Sequence, residues 1–188
     1  MSYPFKSGFA DYKQYYQSLP ELAASLDKKV SKYCKGLDNV CAYSLDRLKG
    51  LLKTYRGCLC KSCDALYYGD DEHYYFIEFK DQQIRNIDPD TIRAKAIDSL
   101  SLAGFTFASD SKLPEIMKRS ILVVVYDNPD DKTLCVLSKL AGKKGCPKDN
   151  IGEDILWGLE NLQKNSFFSE VHSWSEAVFR KNFIGGRQ

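Results

Sequence analysis

No stretch of this chain comes near the ~18 consecutive apolar residues that a membrane-crossing helix requires. Its longest apolar run, ILVVVY at 121–126, has the length of a strand. The first residues, MSYPFKSGFADYKQYY, contain neither the basic stretch nor the unbroken apolar segment of a secretory signal. Histidine is scarce: His73 and His172 stand far apart, neither with a ligand-type neighbour in sequence, and His172 reads as a strand residue with ordinary packing. There is no G-x-S-x-G, no Walker loop and no H-E-x-x-H, so serine-hydrolase, P-loop and zincin chemistries have no motif to stand on. Internal repeats, low-complexity tracts and convincing linkers are missing too. Neither sign of charge dominates, with 27 Lys and Arg against 25 Asp and Glu, a net +2. That balance permits a nucleic-acid partner without announcing one. The seven cysteines, an odd number without a signal segment, point to reduced thiols rather than a disulfide framework. The expectation is a soluble, cytoplasmic protein that does not engage a membrane.

What is present suits a single domain over residues 1–188. The length allows a sizeable core, and 44% hydrophobic with 28% charged residues is ordinary for a globular chain. Residues 1–57 read as helical. Phe5, Phe9, Tyr12 and Tyr16 recur at helical spacing, as do Leu22, Leu26, Val30 and Tyr33 after Pro20. A further helix is predicted from Asp38, a good N-cap, to Tyr55, with Val40, Tyr43, Leu48, Leu51 and Tyr55 inward and Gly57 ending it. From residue 58 to 183 the pattern is mixed. DALYY (64–68) and YYFIEFK (74–80) flank the polar turn 69–73 as a β-hairpin. A helix follows, capped by Asp88, with Pro89 at its first position, Ile92, Ala96 and Leu100 on one face, and Gly104 as its stop. SILVVVYD (120–127), apolar on both faces, reads as a central strand. A helix-like piece at 134–140, a helix at 152–163, a strand at 167–175 and a closing helix complete the order, and 184–188 read as a frayed tail. Such an order predicts an α/β fold: a small mixed sheet flanked by helices.

The strand YYFIEFK raises the functional question. Five of its first six residues are aromatic or β-branched, yet Glu78 and Lys80, two apart, point to one side near its end. Counting outward from a turn centred near Asp71 places Asp64 opposite Glu78, and cross-strand partners lie ~5 Å apart at Cβ. Carboxylates that close repel unless one is protonated or a cation sits between them. Mg²⁺ or Mn²⁺ is the economical solution, since such ions take one or two carboxylates plus water and substrate phosphate. The backbone carbonyl of Phe79 supplies another oxygen. Lys80 is placed to orient or deprotonate an attacking water, or to stabilise charge on a phosphate.

These residues resemble the PD-(D/E)XK nuclease superfamily, whose restriction-endonuclease-like fold has an acid at the end of one strand and an acid-x-Lys pair on the next. Asp64 corresponds to the first acid, and Glu78 and Lys80 to the pair. The likeness spans roughly residues 38 to 183, with helix 88–103 and strands 120–126 and 167–173 in the expected order. Cys63 stands where the family often has proline. D-x-K also occurs at Asp11, Asp27, Asp110 and Asp130, but only Glu78 ends a hydrophobic strand with an acid opposite it. The resemblance implies a metal-dependent phosphodiesterase acting on DNA or RNA. Some family members add a glutamate from the first helix; Glu21, the sole glutamate before residue 72, is the candidate here. Its place directly after Pro20 equally suits the helix N-terminal dipole, and that reading is preferred.

Around this trio, Arg93 or Lys95 on the following helix is placed to approach phosphate, with Gln82 and Gln83 helping to position it. Lys49, Lys53 and Arg56 share a helical face that suits a phosphate backbone or a solvated surface equally, as do Lys139, Lys143, Lys144 and Lys148 in the later loop. Cys34, Cys41, Cys58, Cys60 and Cys63 could gather a metal, but their spacing is not that of paired C-x₂-C, and buried reduced thiols are the expectation. The trio also admits a non-catalytic reading, an ion-pair cluster at a sheet edge. On that reading the fold is a protein-binding module, such as an immunity or antitoxin-like protein that neutralises a partner toxin.

Overall fold

The computed structural model of the chain describes residues 14–26, 34–56, 60–81, 86–107, 113–126 and 157–185. They form an α/β structure, a six-stranded mixed sheet flanked by helices, as the sequence predicts. In chain order the elements are β1 (Tyr16–Ser18), α1 (Leu19–Leu26), β2 (Cys41–Ser44), α2 (Leu45–Arg56), β3 (Ala65–Tyr68) and β4 (Tyr74–Lys80). Then come α3 (Pro89–Phe107), α4 (Leu113–Lys118), β5 (Ser120–Tyr126), α5 (Glu160–Lys164), β6 (Glu170–Ser175) and α6 (Glu176–Gly185). The strands lie across the sheet in sequence order. Strands β1 to β4 form an antiparallel meander, and β4, β5 and β6 are parallel. No described helix is long and apolar enough to cross a membrane.

Strand β5 is buried along its whole length, which is why both of its faces are apolar. Its two sets of alternate residues feed two core layers. Leu122, Val124 and Tyr126 pack with Phe76, Leu48, Ile92, Ala96 and Leu100 on the face covered by α2 and α3. Ile121, Val123 and Val125 pack with Ile77, Phe79, Leu22, Phe179 and Phe183 on the face covered by α1 and α6. The hairpin turn is fixed by Gly69 N–H donating to His73 O at 2.9 Å, and a Cβ at Gly69 would collide with the Asp71 carboxylate. Asp88 caps α3 as predicted: its carboxylate accepts from the Asp90 and Thr91 amides at 3.1 and 3.3 Å. Gly104 does not stop that helix, which runs on to Phe107. An isolated glycine weakens a helix without ending it when the helix is packed against a sheet.

The N-terminal part differs from its helical expectation. The helix predicted from Asp38 begins only at Leu45, and Cys41–Ser44 is strand β2. Tyr16 likewise belongs to a strand, paired with Tyr43 at a ring separation of 4.8 Å. Val40 and Tyr43 are spaced as one helical face, but a four-residue strand is too short to show a period of its own. Pairing with β3 decides the matter. The result is one sheet running from Tyr16 to Ser175 rather than a helical part beside a mixed core. Phe5, Phe9, Tyr12, Val30, Tyr33 and the piece at 134–140 lie outside the described residues, as do 152–156 of the helix predicted at 152–163. Its remainder is a turn at Trp157–Leu159 followed by α5.

Phe76 is fully buried and meets Phe168 edge-on at 5.6 Å. Phe76→Ala is expected to lower the unfolding free energy by about 3–5 kcal/mol in urea denaturation. A loss below about 1 kcal/mol would mean that this core layer repacks freely.

Candidate functional site

The site is built from the open end of the β3–β4 hairpin. Register pairs Ala65 with Ile77 at that end, and Asp64 and Glu78 are the next residues outward. Asp64 is tightly held. Its amide donates to Ile77 O at 3.0 Å, and its Oδ2 accepts from the Phe79 amide at 2.7 Å. The segment before it is tied to two helices. Lys61 N donates to Asp98 Oδ2 at 2.8 Å, Cys63 N to Ser99 Oγ at 2.7 Å, and Ser62 Oγ to Asp46 Oδ1 at 2.6 Å. Helices α3 and α2 thus fix the backbone that presents Asp64.

Glu78 is 1% exposed, flanked in the sheet by Val124 of β5. Its Oε1 accepts from Lys80 Nζ at 2.8 Å and from Lys95 Nζ at 2.7 Å. Its Oε2 is buried with no hydrogen-bond partner among the described residues. The same Lys95 ammonium lies 3.8 Å from Asp64 Oδ1. Asp64, Glu78 and Lys80 therefore come together on one face of the sheet, and Lys95 joins them. Burial pushes the Asp64 carboxyl up to about 7, helped by the nearby charge of Glu78 and opposed by Lys95 and the Phe79 amide. Burial would lower Lys95, but Glu78 and Asp64 outweigh it and hold the amine above its usual range. At Asp46 burial is likewise outweighed, and hydrogen bonds from Lys49 and Ser62 hold its carboxyl below the usual range.

Two neighbouring carboxylates, one with a buried oxygen that has no hydrogen-bond partner among the described residues, form the kind of donor set that Mg²⁺ accepts, because this ion keeps waters for its remaining positions. Among the described residues no group of three or more His, Cys, Asp or Glu side chains is arranged for a metal. Cys34 and Cys63 belong to opposite core layers, so these two thiols do not share a site, and among the described residues no three cysteines are arranged for a metal. Burial drives both thiols upward, Cys34 to about 12. Buried thiols with raised values behave as small hydrophobes. Cys58 lies outside the described residues.

The other sequence-predicted residues are placed as follows. Lys95 does not sit on the surface for phosphate but turns inward to the carboxylates. It directly precedes buried Ala96, so it flanks the apolar stripe of α3, and that position was the signal that it reaches the sheet. Arg93 braces the fold: it pairs with Asp90 at 2.6 Å and donates to Trp157 O at 2.8 Å. Lys49 pairs with Asp46 at 2.6 Å. Glu21 closes a capping box, accepting from Ser18 N at 3.2 Å while its own amide donates to Ser18 Oγ at 3.4 Å. Phe79 meets the pair through its amide. His172 of β6 stacks on Trp174 at 4.7 Å and contacts Glu170 at 2.9 Å. Lys53 and Arg56 lie on α2, but their side chains, with Gln82, Gln83, Lys139, Lys143, Lys144 and Lys148, are outside the described residues. Asp46, Ser62 and Ser99 were not singled out, since nothing in sequence links them to Asp64.

A separate groove of about 550 Å³ opens at the turn end of the hairpin, on the opposite sheet face. Tyr67, Tyr75, His172, Trp174 and Phe183 wall it, with Asp71 and Glu170 at its margin.

Comparison of the chain with protein-family models, with curated proteins and with solved structures found no match.

The raised Asp64 value has a measurable sign. The folded state holds a proton that the unfolded chain, with an ordinary value of 3.8, releases. Folding is thus favoured below that value, and the contribution is lost as pH rises through about 7. Compared with Asp64→Asn, the wild type is expected to lose stability across that window in urea titrations. Parallel pH curves for the two proteins would place the Asp64 titration elsewhere.

Proposed function

We propose that this chain is a divalent-cation-dependent phosphodiesterase acting on nucleic acid, DNA or RNA, of the PD-(D/E)XK nuclease type. The observation that carries the reading is the buried Glu78 Oε2, without a hydrogen-bond partner among the described residues, with Asp64 sharing the Lys95 ammonium with Glu78 and with Lys80 two residues further along the same strand. An order of hairpin, helix, strand and strand on one mixed sheet agrees with that resemblance.

On this reading Asp64 and Glu78 hold Mg²⁺ or Mn²⁺. The Phe79 carbonyl, on the same side of its strand as the amide that Asp64 engages, adds a further oxygen. A cation held by these residues would supply Lewis-acid stabilisation of charge on the phosphodiester. Lys80, as an ammonium, would orient the attacking water and stabilise the negative charge that develops as the water's proton passes to solvent. Its tether to Glu78 Oε1 keeps its ammonium on the reacting side of the sheet. The Phe79 amide engages Asp64 Oδ2, so Oδ1, 3.8 Å from the Lys95 ammonium, is the oxygen that would be offered to a cation. The packed wall of Val124 and Phe76 keeps bulk water from the inner side of the pair.

A second reading is favoured by the aromatic groove, which suits a protein partner of the immunity or antitoxin-like kind. One experiment separates the two. Calorimetric titration of the wild type with Mn²⁺ is expected to give a binding isotherm that Glu78→Ala abolishes. Lys80→Met is expected to keep that isotherm while slowing cleavage roughly a hundredfold or more. A folded wild type that takes up neither Mn²⁺ nor Mg²⁺ would sink the phosphodiesterase reading and leave the groove as the functional surface.

A further inference from the structure

Lys80 and Lys95 both touch Glu78, but they are not equivalent. Lys80 is on the same strand, and its contact is with Glu78 Oε1. Lys95 comes from α3, across the packed layer, and reaches both acids: 2.7 Å to Glu78 Oε1 and 3.8 Å to Asp64 Oδ1. Its ammonium thus lies where opposite charge is most favourable to the pair. That is also where a divalent cation bridging the two carboxylates would gain most. Two positive groups cannot share that position without strong repulsion in a site sheltered from water.

The anchoring of Lys95 makes exchange feasible. Its helix is fixed by Asp88 at its start and by the contacts of Asp98 and Ser99 to the segment before β3. The backbone of α3 therefore stays while the flexible four-carbon stem swings. The side chain is about a quarter exposed, so solvent already reaches the stem. Among the other charges facing the pair, Asp46 also favours a cation nearby, and its own carboxyl is held by Lys49 and Ser62.

We propose that Lys95 is a resident counter-ion, holding the Asp64–Glu78 pair in place without a metal and yielding to a divalent cation, so that it sets the cation affinity of the site. The inference rests on the cation-binding reading above. It makes Lys95 a positioning residue of the cation-free state and assigns it no step in cleavage.

The test reads affinity and melting temperature rather than activity. Lys95→Met keeps the length of the side chain and removes its charge. Calorimetry is expected to show Mn²⁺ binding tightened roughly tenfold over wild type. Without Mn²⁺ the variant is expected to melt below wild type, and saturating Mn²⁺ to raise its melting temperature by more than it raises that of wild type. Lys95→Arg, which keeps the charge, is expected to bind Mn²⁺ about as weakly as wild type. If Lys95→Met fails to fold, Lys95→Gln serves for the same comparison. Affinity unchanged or weakened in a folded, uncharged variant, with wild type still binding Mn²⁺, overturns the counter-ion role and leaves the cation reading standing. No binding by wild type or by the variant removes both.

Discussion

A carboxylate in the middle of a hydrophobic layer is the constraint to which the rest of this architecture answers. Glu78 sits one strand position from buried Ile77 and Phe79 and beside Val124, where an apolar residue would ordinarily be found. Removing that charge from water costs several kcal/mol unless nearby partners compensate. Lys80 and Lys95 supply the compensation at one oxygen, and the other has no hydrogen-bond partner among the described residues. Buried ion pairs seldom stabilise a fold more than well-packed hydrophobic residues do. An incompletely satisfied one is therefore a poor structural device. That incomplete satisfaction is what supports the proposed cation-binding role of the pair.

Much of that arrangement was legible in the sequence because hairpins are local. A polar turn between two apolar runs fixes the register, and the register alone sets Asp64 against Glu78. Helix α3 was legible for a similar reason, since Asp88, Pro89 and the spacing of Ile92, Ala96 and Leu100 are properties of neighbouring residues. The short strands β1 and β2 were not. Their hydrophobic spacing is compatible with a helix over so few residues, and only pairing with distant β3 selects the extended form. Lys95 illustrates the same limit at the level of a side chain. Its long stem allows either an outward or an inward course, and the choice depends on a charge at Glu78 that is adjacent only in space.

The sheet also separates two environments. On the α3 face, at the end of β4, the charges of Asp64, Glu78, Lys80 and Lys95 are concentrated. On the α6 face, at the opposite end of the hairpin, Tyr67, Tyr75, Trp174 and Phe183 make a ring-lined hollow that Asp70, Asp71, Glu170 and Lys181 also line. The alternation of side chains along β3 and β4 is enough to produce this division, because each residue sends its side chain to the face opposite that of its neighbour.

The hairpin and the helix after it have a consequence for how the chain acquires its form. Every side chain of the charged cluster comes from the interval between Asp64 and Lys95, whereas the sheet draws strands from Tyr16 to Ser175. Closing a short loop costs little chain entropy, and local contacts form faster than remote ones. The charged centre can therefore be assembled by a nascent or partly folded chain before β1 or β6 has docked.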